Sequence, residues 1–99
     1  MVDMTDLQDE YDRKVNRMLP QVAAAVGGWP IRFDHCFGRV VLDNVFEDEW
    51  YGHVESPAYK NLSEAQIREA IEIADRMLQE GRPAVEELND KSLEYRGKL

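Results

Sequence analysis

The sequence predicts an all-α fold, an irregular bundle of four to five helices in a single small domain that spans residues 1–99. Two observations support this prediction. Apolar residues recur every three or four positions along most of the chain, which is the spacing of one helix face. The stretch Ser63-Glu64-Ala65-Gln66 is a capping box, a pattern that marks the first turn of a helix. A chain of 99 residues is long enough to enclose one hydrophobic core.

A long first helix is expected over residues 3–26. Asp3 or Thr5 can cap its start, and Gly27-Gly28 ends it. Pro20 interrupts the pattern, because proline removes a backbone donor and clashes with the preceding turn. The sequence therefore predicts a kink near Leu19 or two separate helices. The apolar stripe of this segment consists of Met4, Leu7, Tyr11, Val15, Met18, Val22 and Val26.

The segment 31–44 admits two interpretations. The stretches IRF and RVVL are short and rich in β-branched residues, which is typical of strands. A helix with Asp34 as its N-cap accounts for more of the residues, and we favour it, although Gly38 costs such a helix about 1 kcal/mol relative to alanine. The apolar face of this helix consists of Phe33, Phe37, Val40, Val41 and Val45.

Capping residues and helix-breaking residues predict where the later helices begin and end. Residues 47–54 suit a short helix, and the helix behind the capping box ends at Gly81. On that helix the four-residue spacing of Glu72 and Arg76 predicts an ion pair. Asn89 or Asp90 is expected to cap a last short turn. The apolar face behind the capping box consists of Ile67, Ala70, Ile71, Ala74, Met77 and Leu78.

The amino-acid composition argues against several classes of function. The net charge of −8 opposes contact with a phosphate backbone, so no nucleic-acid partner is predicted. The first ten residues are acidic, which argues against a signal peptide, and no stretch approaches the roughly 20 apolar residues of a membrane span. A single cysteine excludes an internal disulfide and suits a reducing compartment. We therefore expect a cytoplasmic protein that does not enter a membrane.

The candidate catalytic residues are Cys36, His35 and His53. In the first turn of the predicted helix, the backbone N–H groups and the helix dipole stabilise a thiolate at Cys36. His35 is its neighbour in sequence, and His53 is close enough along the chain to fold back as a general base. The alternative is that Cys36 belongs to the core, because an isolated cysteine beside phenylalanine is commonly buried.

Four further residues are candidates for contacts with a ligand or partner. Arg39 and Asp43 follow His35 at successive steps of four residues, so the three share one polar stripe of the helix. Arg39 and Asp43 form either a solvated salt bridge or, if partly buried, a fixed anion site. Trp50 and Tyr51 are suited to line a pocket or anchor a partner, although a small domain also needs aromatic residues in its core.

No metal and no cofactor is predicted. Asp34, His35, Cys36 and His53 carry suitable donor atoms, but their spacing matches no compact zinc pattern. Glycine-rich phosphate loops and the GxSxG and HExxH motifs are absent. The sequence therefore lacks the signatures of the enzyme classes that those motifs mark.

The run FDHCFGRVVLDNVFEDEWY, the later PAYKNLSEAQ and the closing SLEYRGKL resemble a group of short bacterial proteins. The resemblance covers residues 29–99. Members are often assigned to the GNAT acetyltransferase superfamily, which implies a transferase-like activity or an accessory role beside such an enzyme. The superfamily's R/Q-x-x-G-x-G/A motif for the pyrophosphate of acetyl-CoA has no counterpart in this chain, so no catalytic or cofactor-binding residue is carried over.

The sequence thus predicts a small module that binds a protein or a small molecule through Trp50, Tyr51 and the polar stripe, as a monomer or homodimer. The enzyme alternative is the transferase-like activity that the resemblance implies or a thiol-dependent reaction at Cys36. A third hypothesis, a helical homodimer without a small-molecule site, predicts a large exposed apolar stripe on the first helix.

Overall fold

The computed structural model describes residues 3–99 and confirms the all-α prediction. No strand occurs within these residues, so the strand interpretation of segment 31–44 is wrong. The elements are α1 (Met4–Tyr11), a π-helical segment (Asp12–Met18), α2 (Leu19–Val26), α3 (Asp34–Phe46), a 3₁₀ turn (Trp50–Gly52), α4 (Ala58–Asn61), α5 (Glu64–Glu80) and α6 (Arg82–Tyr95). Because α1, the π-helical segment and α2 follow one another without a break, they are counted together as the first helix, and residues 3–99 then form five helices.

The first helix passes Pro20 without separating into two helices. The π-helical segment ends directly before α2, where the N–H of Leu19 donates to the carbonyl of Lys14, and Pro20 lies in the first turn of α2. A π-helical turn bonds residues five apart, so it is wider than an α-helical turn and accommodates a proline ring. The predicted interruption near Leu19 therefore takes the form of a change from π-helix to α-helix.

The wider turns also change which side chains of the first helix are buried. Beyond Val15 the buried positions are Leu19 and Ala23, whereas the sequence stripe predicted Met18, Val22 and Val26. Val26 is 66% exposed and Met18 is 37% exposed. Since the helix buries its main apolar face within the same chain, the described residues do not show the large exposed stripe that a helical homodimer predicts.

Helix α3 begins at Asp34, and its N-cap is Phe33. The prediction that Asp34 caps the helix is wrong by one residue: its carboxylate accepts a hydrogen bond from the N–H of His35 at 2.7 Å. Phe33 is 56% exposed, because an N-cap residue precedes the first helical turn and does not share the helix face. The predicted face is otherwise buried at Phe37, Val40 and Val41.

The capping box at the start of α5 is confirmed. The hydroxyl of Ser63 accepts from the N–H of Gln66 at 3.2 Å, and the Gln66 side chain accepts from the N–H of Ser63 at 2.9 Å. Gly81, at a φ of +72°, joins α5 to α6. The short helix expected over residues 47–54 is reduced to the single 3₁₀ turn.

Two predictions about α5 and α6 are wrong. Arg76 pairs with Glu80 and with Glu87 of α6, not with Glu72, so it ties the two helices together. Helix α6 runs unbroken to Tyr95, so no separate last turn starts at Asn89 or Asp90. Tertiary contacts decide both outcomes, because the alternatives are nearly equal in local energy.

The core lies between α3, α5 and the first helix. Helix α3 packs against α6, α5 and the π-helical segment, and α1 packs against α5. Lys14 joins the π-helical segment to α5 through Asp75 at 2.7 Å. Within residues 3–99 no helix combines the length and apolar character needed to span a bilayer. The largest fully buried apolar side chains are Phe37, Leu19, Ile67, Met77, Val15, Val40, Val41 and Val85.

Candidate functional site

A groove of about 680 Å³ lies where α3 faces the first helix and the segment that leads into α4. Its size falls within the roughly 300–1,000 Å³ of small-molecule sites. The first helix contributes Tyr11, Asp12 and Asn16. Helix α3 contributes Asp34, His35, Cys36, Gly38, Arg39 and Leu42. The remaining wall consists of Trp50, Tyr51 and residues 56–59.

The groove brings together most of the residues that the sequence singled out. Five of them line it, namely His35, Cys36, Arg39, Trp50 and Tyr51. Asp43 and His53 are not among its lining residues. A ligand in the groove can therefore contact these five residues but not the buried Asp43.

Aromatic rings form much of the groove surface. The rings of Tyr11 and Tyr59 stack with their centroids 6.2 Å apart and their planes within 6°. The rings of Trp50 and Tyr51 are 4.4 Å apart, and Tyr51 is 60% exposed. Burial, together with the charge of Asp12, raises the pKa of Tyr11, so its phenol stays neutral. Tyr11 is itself buried, so the aromatic surface that a ligand can contact comes from the exposed Tyr51 and the half-buried Trp50 and Tyr59.

A buried carboxylate, Asp43, holds one side of the groove in place. It is 0% exposed and accepts hydrogen bonds from the Ser92 hydroxyl at 2.6 Å and from Nε of Arg96 at 2.6 Å. Its other oxygen accepts from the backbone N–H of Trp50 at 3.1 Å. The guanidinium of Arg96 lies 4.9 Å from the Tyr51 ring. Asp43 therefore positions the 3₁₀ turn that carries both aromatic residues.

The pKa of Arg96 is raised, chiefly by its hydrogen bond to Asp43, so the guanidinium stays positively charged. The salt bridge that the sequence allowed between Arg39 and Asp43 is not formed. Arg96, the C-cap residue of α6, is the partner instead, and it reaches Asp43 from 53 positions further along the chain.

Arg39 is held by neutral groups. Its Nη2 donates to the side-chain oxygen of Asn89 at 2.6 Å, and its Nη1 donates to the hydroxyl of Ser92 at 3.2 Å. Within residues 3–99 it forms no salt bridge with a carboxylate. A guanidinium has five N–H donors, so about three remain for a ligand.

The thiol of Cys36 is partly exposed and lines the groove. The adjacent His35 side chain is 79% exposed, and its ring stacks on Phe33 with centroids 5.9 Å apart. Among residues 3–99, no hydrogen bond joins the thiol to either histidine. The structure thus places Cys36 and His35 at one surface without a hydrogen bond between them.

His53 contacts Phe46 and Asp48 instead of Cys36. Its ring stacks on Phe46 with centroids 5.0 Å apart, and its Nε2 lies 3.1 Å from the carboxylate of Asp48. This hydrogen bond, with a second one from the backbone of Glu49, lowers the pKa of Asp48. Within the described chain, no group of three or more His, Cys, Asp or Glu side chains is arranged to hold a metal ion.

Two residues of α6 and its C-cap residue, Arg96, support the site and escaped the sequence analysis. Asn89, Ser92 and Arg96 hold Arg39 and Asp43. The signal that could have found them is their spacing, because they continue the inward face begun by Val85. Polar residues on the buried face of a helix need partners on another element.

No family model matches the chain, and no curated protein or solved structure shows a significant match to it. The resemblance to short bacterial proteins of the acetyltransferase superfamily therefore stays a prediction. Function has to be inferred from the groove itself.

Proposed function

We propose that this protein is a binding domain for a small organic molecule and that the ligand occupies the groove. One observation carries the proposal: the unpaired guanidinium of Arg39 is fixed by neutral oxygen atoms in a groove with aromatic walls. Small-molecule sites are typically apolar concavities with a few well-placed polar groups that orient the ligand.

The supporting contacts favour a preformed site over a solvated surface. Asn89 and Ser92 hold the Arg39 side chain, and Asp43 holds the backbone of Trp50. The conformational entropy of these groups is lost on folding, so a ligand does not have to order them. Such preorganisation lowers the entropic cost of binding a ligand in the groove.

The proposal is tested with three small probes of similar size: phenylacetate, phenylacetamide and phenethylamine. Ligands of about ten heavy atoms at about −0.3 kcal/mol per atom have Kd values in the low millimolar range. We expect at least one probe to shift the amide resonances of Gly38, Trp50 and Tyr51 saturably in ¹H–¹⁵N spectra. If none of the three does so, the groove is not a ligand site.

A blocking variant makes the test specific. Gly38 lines the groove and a Cβ atom there would meet nothing within 4 Å, so Gly38→Leu places a bulky side chain at the groove. The control is Ala25→Leu, which introduces the same side chain at an exposed position of α2 that does not line the groove. We expect Gly38→Leu to abolish the shifts and Ala25→Leu to preserve them. Equal binding to both variants would contradict the proposal.

A thiol-dependent reaction at Cys36 is the second candidate, favoured by the position of its sulfur in the same groove. The test is the rate of iodoacetamide alkylation against pH, in the folded protein and in denaturant. Fast reaction of the folded thiol at neutral pH, slowed by His35→Gln or His53→Gln, supports catalysis. A thiol that reacts only on unfolding belongs to the core and ends this candidacy.

We also propose a cytoplasmic location and no nucleic-acid partner, which the single free cysteine and the net charge of −8 support. An accessory role beside a transferase is consistent with the resemblance described above. Sedimentation measurements distinguish the monomer from the homodimer.

A further inference from the structure

We propose that the groove selects a free aromatic monocarboxylate and that the ligand's carboxylate binds Arg39. This inference rests on the proposed function and names the class of ligand.

The buried hydrogen-bond network leaves the positive charge of Arg39 without a carboxylate partner within residues 3–99, so a ligand can supply one. Asp43, the buried acid of the same helix, is neutralised by Arg96. The hydroxyl of Ser92 donates to Asp43, so its oxygen can only accept from Arg39. Asn89 likewise presents its carbonyl oxygen. Both contacts orient the guanidinium, and neither cancels its charge.

Among the described residues that line the groove, Arg39 is the only arginine or lysine, so it matches one negative charge on the ligand. A single guanidinium binds a carboxylate through two parallel hydrogen bonds. Asp12 and Asp34 also line the groove, and the whole chain carries a net charge of −8. Arg17, 3.4 Å from Asp12, offsets only part of this negative potential. A dianion such as a phosphate monoester would therefore be repelled more strongly than a carboxylate.

The residues that line the groove favour an aromatic ligand. Tyr59, which stacks on the buried Tyr11, and the pair of Trp50 and Tyr51 supply the accessible aromatic surface of the groove. Aromatic rings gain about 0.5–1.5 kcal/mol from such pairs beyond their buried area. A groove of about 680 Å³ holds a ligand of this kind whole, which favours a free acid over the end of a polypeptide.

The test compares phenylacetate with phenylacetamide, which match in size and differ in charge. We expect the wild-type protein to bind the acid at least tenfold more tightly, with a preference that weakens as salt is added. Arg39→Gln should abolish the preference and keep the amide binding. The control is Arg32→Gln, an exposed arginine next to α3 that does not line the groove, and it should keep the preference.

The outcomes separate this inference from the proposed function. Equal binding of acid and amide to the wild-type protein, or a preference that persists in Arg39→Gln, overturns the carboxylate assignment and leaves the groove as a ligand site. The wild-type comparison and its salt dependence decide the matter even if Arg39→Gln does not fold. Absence of binding by every probe overturns both proposals.

A further titration distinguishes a free carboxylic acid from the C-terminal carboxylate of a peptide. The tripeptide Gly-Gly-Phe and its C-terminal amide are titrated under the same conditions. If the peptide acid binds more than tenfold more tightly than phenylacetate and the peptide amide does not, the groove reads a chain terminus, and the free-acid assignment is wrong. Comparable or weaker binding of the peptide supports the free acid.

Discussion

Replacing Asp43 with asparagine removes the charge at the centre of the network and keeps the shape of the side chain. In the structure Asp43 is fully buried and accepts four hydrogen bonds, one from Ser92, two from Arg96 and one from the backbone of Trp50. Asparagine offers one oxygen and one amide group. Two of the four hydrogen bonds therefore lose their acceptor, and Arg96 loses its counter-charge.

The expected loss of stability follows from these contacts. Two hydrogen bonds to a charged group contribute about 1.5–3 kcal/mol each, so their loss costs about 3–6 kcal/mol. The side chain of Arg96 is 15% exposed and keeps part of its hydration. We therefore expect the lower end, about 3 kcal/mol, which is a large part of the roughly 5–15 kcal/mol of a typical domain.

Urea denaturation followed by circular dichroism at 222 nm measures this loss. With a slope of about 1–3 kcal/mol/M, the midpoint of Asp43→Asn should fall by about 1–3 M. The control is Asp90→Asn on the exposed face of α6, which should stay within about 0.5 kcal/mol of the wild type.

A double-mutant cycle shows whether Asp43 and Arg96 act together. The cost of Asp43→Asn combined with Arg96→Gln should fall below the sum of the single costs by about 2 kcal/mol, because each change removes the other's partner. A change in stability under about 0.5 kcal/mol for Asp43→Asn, or simple additivity in the cycle, would show that the buried network contributes little.

Three further predictions concern single positions. Gly38→Ala should raise the free energy of unfolding by about 0.5–1 kcal/mol, because it improves helix propensity in α3 where a Cβ meets nothing; a decrease in urea midpoint contradicts this. Ser63→Ala should lower it by about 1 kcal/mol through loss of the capping box, while Ser63→Asp should retain most of the stability. The hydrogen bond from His53 lowers the pKa of Asp48, so the interaction stabilises the fold above the unfolded pKa and is lost as the pH falls through the lower folded value. Carboxyl NMR titration should show the pKa of Asp48 moving up toward its ordinary value in His53→Gln, and an unchanged pKa would refute the assignment.

Local patterns were sufficient for most of the helices. The capping box, Gly81 and the apolar spacing of α5 predicted where that helix begins and ends and which face is buried, because capping and amphipathic burial depend on residues a few positions apart. The same reasoning favoured a helix over a strand for segment 31–44, and the structure confirms the helix. The errors lie where two local arrangements are close in energy, such as the N-cap of α3 or the partner of Arg76.

The sequence by itself determined the fold class, the helix that carries Cys36 and Arg39, and five of the residues that line the groove. Only the tertiary structure decided which partners those residues and Asp43 contact. Arg39 meets Asn89 from 50 positions away, and Asp43 meets Arg96 from 53 positions away. Spacing along one helix predicted the pairing of Arg39 with Asp43, but the packing of α6 against α3 supplied each with a different partner. Contacts between distant segments depend on the global packing of helices, which local periodicity does not encode.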